Sequence, residues 1–160
     1  MATKSLLLLR HAKAIDGGVL ILDQDRPLSN SGVEDAKKLG KYLLKKSFDI
    51  DLILSSSAIR AISTAQIVAN KLGYKQKHLE VEERLYMADV EVMLRLISLI
   101  PKKVDTLMIV GHNPGMSSLA STLTGASISM STCALIELAL EIKNWDQASD
   151  VKECKFNILN

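Results

Sequence analysis

The chain is poor in cysteine, proline and aromatic residues, and its charges nearly cancel. Its 160 residues include two cysteines, three prolines, three tyrosines, two phenylalanines and one tryptophan. Cys133 and Cys154 lie far apart without metal-ligand spacing, which excludes a disulfide framework and predicts two reduced, packed thiols. A net charge of +2 is too small to indicate binding to nucleic acid or to a membrane surface.

The sequence also lacks long apolar runs, repeats and linkers. The leucine run at residues 6–9 is far too short for a signal-peptide core or a membrane span. We therefore predict a single domain over residues 1–160, located in the cytoplasm, with no nucleic acid and no membrane as a partner.

Buried-strand patterns alternate with amphipathic helix patterns through most of the chain. This alternation predicts an α/β fold, a three-layer sandwich whose central sheet is mainly parallel with an antiparallel edge strand. The last two strand patterns predict an antiparallel hairpin, in which the final strand has one buried and one wet face. The predicted strands cover residues 6–9, 51–54, 79–81, 106–110, 133–140 and 151–159, and the predicted helices begin near residues 31, 58, 90 and 114.

Local capping signals place three of these helix starts. Ser31 and Glu34 have the spacing of a capping box. Asp89 suits the N-cap of the third helix. Asn113 suits the N-cap of the fourth helix, with Pro114 as its first residue.

Charged and titratable side chains follow two of the buried strands where each ends. Arg10 and His11 follow the leucine run, and His112 follows the strand at 106–110. Ligands of open α/β sheets bind outside the carboxyl ends of the strands. One such histidine is usually an ordinary polar residue, but two of them, each closing a buried strand, favour a binding site.

Arg60 adds a further cation near the same edge. It falls in the first turn of the second helix, after a run of three serines, where the helix dipole disfavours a positive charge. A serine-rich turn, a helix N-terminus and an arginine together suit an anion. If the first, second and fourth strands are parallel neighbours, Arg10, His11, Arg60 and His112 meet at one edge of the sheet.

Two arginines and two histidines suit a phosphoryl group. Guanidinium donors match phosphate oxygens, and a neutral imidazole can attack phosphorus to form a covalent intermediate. The metal motif H-E-x-x-H and clustered cysteines are missing, and so is a glycine-rich phosphate loop. We therefore expect the site to use protein cations, without a metal ion and without a cofactor.

Four motifs between residues 6 and 125 carry a resemblance to a known family. In chain order they are Arg10-His11-Ala12-Lys13, Arg26-Pro27-Leu28-Ser29-x-x-Gly32, Ser55-Ser56-Ser57-Ala58-x-Arg60-Ala61-x-x-Thr64-Ala65 and Gly111-His112-Asn113-Pro114-Gly115. They resemble the motifs of the histidine phosphatase superfamily, whose fold is phosphoglycerate-mutase-like. The short length and the missing insertions are most similar to its SixA-type phosphohistidine phosphatases.

The resemblance implies a role for each matching residue. His11 corresponds to the nucleophile that becomes phosphorylated, and three further residues correspond to the rest of the catalytic phosphate pocket: Arg10, Arg60 and His112. Arg26 corresponds to a basic residue on a flanking loop that binds substrate. Ser57 and Asn113 are expected to line the site.

The general acid that many members carry after the third strand has no clear counterpart. Glu83 and Asp89 are the candidate acids in this segment, and Asp89 has a structural explanation as an N-cap. A phosphorylated imidazole leaves as a neutral amine once solvent protonates it, whereas an alkoxide leaves poorly without a donor. The missing acid therefore favours a P–N substrate.

Three functions remain compatible with these residues. The first is a metal-independent phosphohydrolase that dephosphorylates a phosphohistidine-bearing protein, such as a histidine-phosphotransfer domain in signal transduction. The second is a phosphatase of small phosphate esters. The third is a module that binds phosphate or a phosphoprotein without turnover.

Overall fold

The computed structural model describes residues 2–75 and 78–160, which form one six-stranded sheet between helical layers. The strand order is β3-β2-β4-β1-β5-β6. The first four strands are parallel, and β5 and β6 are antiparallel to their neighbours, as the predicted fold class and edge hairpin require. The strands are β1 (Lys4–Arg10), β2 (Leu52–Ser55), β3 (Leu79–Val81), β4 (Thr106–Gly111), β5 (Leu135–Leu140) and β6 (Lys155–Ile158).

Strand β1 runs through the centre of the molecule, and all four of its leucines are fully buried. Successive strand side chains point to opposite faces, so Leu6 and Leu8 join one core cluster while Leu7 and Leu9 join the other. Burial on both faces explains why the strand reads as an uninterrupted apolar run rather than an alternating one.

The helices pack in pairs against the two faces of the sheet. Helices α1 (Asn30–Lys45) and α2 (Ile59–Leu72) cover one face, and α3 (Val90–Ser98) and α4 (Gly115–Thr124) cover the other. The fold is thus the expected three-layer α/β sandwich. No helix within residues 2–75 and 78–160 has both the length and the apolar character needed to span a membrane.

Two predicted helix starts are corrected. Helix α1 begins at Asn30 and is capped by Ser29, whose side chain accepts from the Gly32 N–H, so the predicted Ser31–Glu34 capping box is wrong. Ser29 rather than Ser31 is the N-cap because its hydroxyl also donates to the Lys13 carbonyl, a tertiary contact that the local sequence pattern does not reveal.

Helix α4 begins at Gly115, after Pro114 rather than at it. Asn113 still satisfies a first-turn donor, because its Oδ1 accepts from the Ser117 N–H at 3.1 Å. The third start is confirmed, since Asp89 caps α3 by accepting from the Val92 N–H at 2.9 Å.

The predicted buried face of the final strand is also wrong. All four residues of β6 are exposed, and Phe156 and Ile158 join neither core cluster. The physical reason is position: β6 lies at one edge of the sheet and borders β5 alone, so its side chains remain exposed.

Candidate active site

The candidate site lies where β2, β4 and β1 end side by side. The register pairs Arg10 with Gly111 and Ser55 with Val110, so the three carboxyl ends are level. Two further backbone hydrogen bonds, from His11 N to Gly111 O and from Ser56 N to Val110 O, continue the alignment past the strand ends. Side chains leaving these ends are therefore brought together, as the sequence predicts.

His11 is 8% exposed and has a defined tautomer. Its Nδ1 lies 2.7 Å from the Ala12 carbonyl oxygen. A carbonyl only accepts, so the neutral ring carries its proton on Nδ1 and keeps a lone pair on Nε2. That lone pair faces the site, where Arg60 Nε donates to it at 3.4 Å.

His112 lies opposite His11, with the two ring centroids 5.1 Å apart. Its Nδ1 is 3.4 Å from Arg60 Nη2, which only donates, and its Nε2 is 2.7 Å from Ser56 Oγ. The neutral ring thus accepts from Arg60 and donates to Ser56. Both imidazoles present a lone pair to the same guanidinium group.

Both histidines are held neutral by their surroundings. Burial is the largest cause that lowers the pKa of His11; the hydrogen bond to the Ala12 carbonyl opposes it, the positive charges of Arg60, Arg10 and Arg26 add to it, and the net pKa is about 4. Burial, with His11 and Arg60 beside it, lowers the pKa of His112 to about 3. At neutral pH the lone pair on His11 Nε2 is therefore unprotonated and available to act as a nucleophile.

The two arginines supply the positive charge. Arg60 is buried, with 3% exposure, at the start of α2. Arg10 Nη1 donates to the Met130 carbonyl at 3.0 Å, but its buried Nε has no hydrogen-bond partner in the part of the chain that the structure describes. An unsatisfied buried donor on a guanidinium group is suited to an anionic oxygen.

Thr64 joins the strand that carries His11 to the helix that carries Arg60. Its Oγ1 accepts from the Ala12 N–H at 3.0 Å and donates to the Arg60 carbonyl at 2.7 Å. Thr64 is fully buried. The motif at residues 55–65 therefore supplies Arg60 and also Thr64, whose hydroxyl links the segment after β1 to helix α2.

Asp23 and Tyr86 reach the site, although neither residue is among those predicted from the sequence. Asp23 Oδ2 accepts from Arg60 Nη2 at 3.0 Å and from the Tyr86 hydroxyl, and the Tyr86 ring stands edge-on to His112 with centroids 5.5 Å apart. The only advance signal was indirect: a buried arginine at a helix N-terminus needs an acidic partner, but the spacing does not say which one.

The three residues expected to bind substrate differ in their contacts with the cluster. Arg26 lies beside it and donates to Asp23 Oδ1 at 3.1 Å and to the Ile15 carbonyl at 2.8 Å. Asn113 uses its amide within the fold, donating to the Met130 carbonyl and accepting from Ser117. Ser57 is half-buried, and the serine that contacts His112 is its neighbour Ser56.

The candidate acids do not join the cluster. Asp89 is exposed and its carboxylate caps α3, which is the structural explanation expected for it. Glu83 is exposed and forms no hydrogen bond with the histidines or arginines described above. From the segment after β3, it is Tyr86 that reaches the site.

The donor set has the chemistry of an oxyanion site. Within residues 2–75 and 78–160 no three His, Cys, Asp or Glu side chains are grouped as metal ligands. The side chains that converge are instead the Arg60 guanidinium and two neutral imidazoles, and the charge of Arg10 lies near enough to lower the pKa of both rings. This arrangement can bind a tetrahedral anion and present it to an imidazole lone pair.

Comparison with known proteins gives an independent assignment. The model of the histidine phosphatase superfamily, branch 1, matches residues 6–94. An uncharacterised chloroplast protein of Arabidopsis thaliana is 32% identical over 154 residues, which cover 91% of this chain and 71% of that protein. An uncharacterised protein of Mycobacterium tuberculosis is 35% identical over 131 residues, covering 81% and 77%.

The chain is also similar to solved structures. A protein from Agrobacterium tumefaciens assigned as the phosphohistidine phosphatase SixA is 29% identical, with a TM-score of 0.77 over 84% of this chain and 90% of its own. The protein histidine phosphatase SixA complexed with tungstate is 23% identical, with a TM-score of 0.80 over 96% and 94%. This second likeness establishes the fold, which is phosphoglycerate-mutase-like as expected.

Proposed function

The chain belongs to the histidine phosphatase superfamily and is similar to its SixA-type members, and from that premise we propose that it dephosphorylates a phosphohistidine side chain of another protein. Phosphatase chemistry is the coarser statement, which the family and its structural relatives support. The observation that carries the proposal of a phosphohistidine substrate is that both candidate acids, Glu83 and Asp89, are exposed and outside the cluster in which His11 faces Arg60.

The first chemical step is phosphoryl transfer to His11. Its Nε2 forms a bond to phosphorus while the bond from phosphorus to the substrate's imidazole nitrogen breaks, and that nitrogen takes a proton from solvent. Arg10 and Arg60 hold the phosphoryl oxygens and stabilise the charge of the transition state. A bound phosphoryl dianion raises the pKa of His112, so that ring can take a proton and donate to an oxygen as well.

The second step is hydrolysis. A water oxygen forms a bond to phosphorus, the P–N bond to His11 breaks, and inorganic phosphate leaves. The Ala12 carbonyl accepts from Nδ1 throughout, so the same nitrogen, Nε2, is the nucleophile in the first step and the leaving atom in the second. No metal ion or cofactor takes part in this proposal.

The carboxylate that the described residues bring to the cluster, Asp23, is ionised at neutral pH and cannot protonate a leaving group, which supports a P–N substrate. Glu83 and Asp89 both lie on the surface, and Asp89 is occupied as a cap. An imidazole protonated by solvent leaves readily, whereas an alkoxide needs a positioned donor.

An exposed apolar segment beside the site supports a macromolecular substrate. We name residues 17–22 the rim loop; Val19 is 100% exposed, Leu20 93% and Leu22 75%. The loop leads directly into Asp23, which contacts Arg60. A protein that brings its phosphohistidine to His11 passes over this loop and can cover its leucines.

A single-turnover assay tests the proposal. The substrates are a histidine-phosphotransfer protein carrying ³²P on its histidine and, in parallel, an aryl phosphate and a sugar phosphate. Fast phosphate release from the phosphoprotein is expected for the wild type, and none for His11→Ala. His78→Ala is the matched control, because His78 is an exposed histidine outside the cluster and its removal leaves the rate unchanged.

Two outcomes contradict the proposal. Faster release from either ester identifies a small-molecule phosphatase. Saturable binding without release from all three identifies a phosphate-binding module.

A further inference from the structure

The guanidinium group of Arg60 uses two different edges for two different sets of partners. One edge, formed by Nε and Nη2, faces the histidines, at 3.4 Å from His11 Nε2 and 3.4 Å from His112 Nδ1. The other edge, formed by Nη1 and Nη2, faces Asp23, at 2.7 Å from its carbonyl oxygen and 3.0 Å from its Oδ2. The edge toward the histidines is the one a phosphoryl group between them would meet.

Asp23 is held firmly enough to fix the orientation of Arg60. Its Oδ1 accepts from Arg26, and its Oδ2 accepts from both Arg60 and Tyr86. The Tyr86 hydroxyl, followed by the two arginines, lowers the pKa of Asp23 to about 2, so this carboxylate is charged at neutral pH. A buried guanidinium at a helix N-terminus needs such a counter-charge.

Tyr86 links this carboxylate to the opposite wall of the site. Its hydroxyl donates to Asp23 Oδ2 while its ring packs edge-on against His112, with an interplanar angle of 83°. The hydrogen bond to Asp23 raises the pKa of Tyr86, so the phenol stays protonated and remains a donor. One residue therefore contacts both the anchor of Arg60 and the second imidazole.

We infer that Asp23 and Tyr86 are positioning residues of the phosphatase reaction: the chain of hydrogen bonds from the Tyr86 hydroxyl through the Asp23 carboxylate holds Arg60 so that its Nε and Nη2 point at the phosphoryl group. The inference rests on the proposed function for the identity of that group. It gives the segment after β3 a role in orientation, where many family members place a proton donor.

If Asp23 instead competed with phosphate for Arg60, its substitution would change the oxyanion affinity in the opposite direction. As a carboxylate on Arg60, Asp23 is chemically able to compete with phosphate for the same cation. Competition requires that removing its charge tighten oxyanion binding, whereas positioning requires that binding weaken. The sign of one measurement separates the two.

The experiment measures tungstate affinity by calorimetry, kcat and KM with ³²P-phosphohistidine protein, and melting temperature. Asp23→Asn and Tyr86→Phe are expected to lower kcat and weaken tungstate binding by about tenfold to a hundredfold. Tyr86→Phe is expected to change the melting temperature little, whereas Asp23→Asn is expected to lower it, because Arg60 loses its counter-charge. Asp25→Asn in the same turn and Tyr74→Phe, whose hydroxyl bonds to Asp51 and His78, are matched controls that keep wild-type values.

A double-mutant cycle shows whether Asp23 acts through Arg60. Asp23→Asn is expected to have no further effect on tungstate affinity in an Arg60→Ala background. Should Arg60→Ala not fold, the cycle between Tyr86→Phe and Asp23→Asn takes its place, with the same expected loss of additivity. Additive effects, unchanged affinity, or tighter tungstate binding in Asp23→Asn each overturn the inference.

Failure of the proposed function looks different. A wild-type protein that releases no phosphate but binds tungstate, with weaker binding in Asp23→Asn, contradicts the function and leaves the positioning of Arg60 in place. A wild type that releases phosphate while both variants keep its kcat and affinity contradicts the positioning alone.

Discussion

His11 and His112 are neutral mainly because they are buried, and the groups that attract an anion add to the same effect. Desolvation contributes most to lowering the pKa of each ring, and the guanidinium groups of Arg60 and Arg10 lower both values further. The cations that hold a phosphoryl group therefore also keep the attacking imidazole unprotonated before the substrate arrives. An anion bound between the rings has the reverse effect on their pKa values, which couples binding to proton uptake.

This neutrality predicts a specific loss of stability in acid. Each ring binds a proton near pH 6.5 when unfolded, but only near pH 4 for His11 and pH 3 for His112 when folded. Between these values the unfolded state carries more protons, so the free energy of unfolding falls as the pH drops below 6.5. Urea titrations from pH 7 to pH 4 measure the fall, and nitrogen-15 NMR of the rings measures the two pKa values directly.

Substituting His11 supplies the control for that experiment. His11→Asn removes one of the two buried rings, so its stability is expected to change less between pH 6.5 and 4 than that of the wild type. Ring pKa values close to 6.5 in the folded protein, or an equal acid sensitivity of the variant, contradict the prediction.

At the residue scale, the sequence predicts what is encoded locally. Arg10, His11 and His112 are recognisable because each interrupts or follows a buried strand, and Arg60 because it starts a helix. Asp23 is recognisable only in three dimensions, since it lies 37 residues from Arg60 and 63 from Tyr86 along the chain. The serine that contacts His112 is Ser56 rather than the predicted Ser57. The two are adjacent in the turn after β2, and the sequence does not show which of their hydroxyls faces the site.

At the scale of elements, the start of α1 shows how a tertiary contact overrides a local signal. Ser29 accepts from the Gly32 N–H at 3.0 Å and donates to the Lys13 carbonyl at 3.1 Å, so one hydroxyl satisfies the helix and anchors it to the segment after β1. Ser31 contributes a hydrogen bond to the Ser29 hydroxyl alone. The strands were easier to predict, because a run of residues buried on both faces needs no information about its partners.

The two serines allow a direct test of which one caps α1. Ser29→Ala is expected to lower the free energy of unfolding by about 1 kcal/mol, because a helix N–H loses its acceptor. Ser31→Ala is the matched control and is expected to cost well under half as much. Denaturant unfolding measures both values, and a larger loss for Ser31→Ala would restore the capping box predicted from the sequence.

At the scale of the whole molecule, two glycines allow helices α1 and α4 to pack closely against the loops that carry site residues. A Cβ at Gly32 would lie 2.1 Å from the Lys13 carbonyl oxygen, and one at Gly115 would lie 2.0 Å from that of Ala88. Both distances are far inside van der Waals contact, so α1 and α4 approach the loops after β1 and β3 only because these positions lack a side chain. The sheet aligns His11 and His112, and these contacts bring in the loops that carry Asp23 and Tyr86.

The rim loop distinguishes a protein substrate from a small one. It lies at the carboxyl edge of the sheet, before Asp23, and Leu20 and Leu22 there are 93% and 75% exposed. A docked protein can bury these side chains, whereas an aryl phosphate in the pocket leaves them in water. Because each buried leucine contributes about 1.5–3 kcal/mol, Leu20→Ser with Leu22→Ser is expected to lower kcat/KM for the phosphohistidine protein by about tenfold or more.

The same double variant should leave kcat/KM for an aryl phosphate unchanged, since Arg10, Arg60 and the histidines are untouched. Leu99→Ser is the matched control: Leu99 is 70% exposed at the end of α3, which leads back to the amino end of β4 and so to the opposite edge of the sheet. Equal losses on both substrates would mean that the rim loop supports the pocket rather than a partner. No loss on either would place the protein surface that delivers the phosphoryl group on another part of the rim.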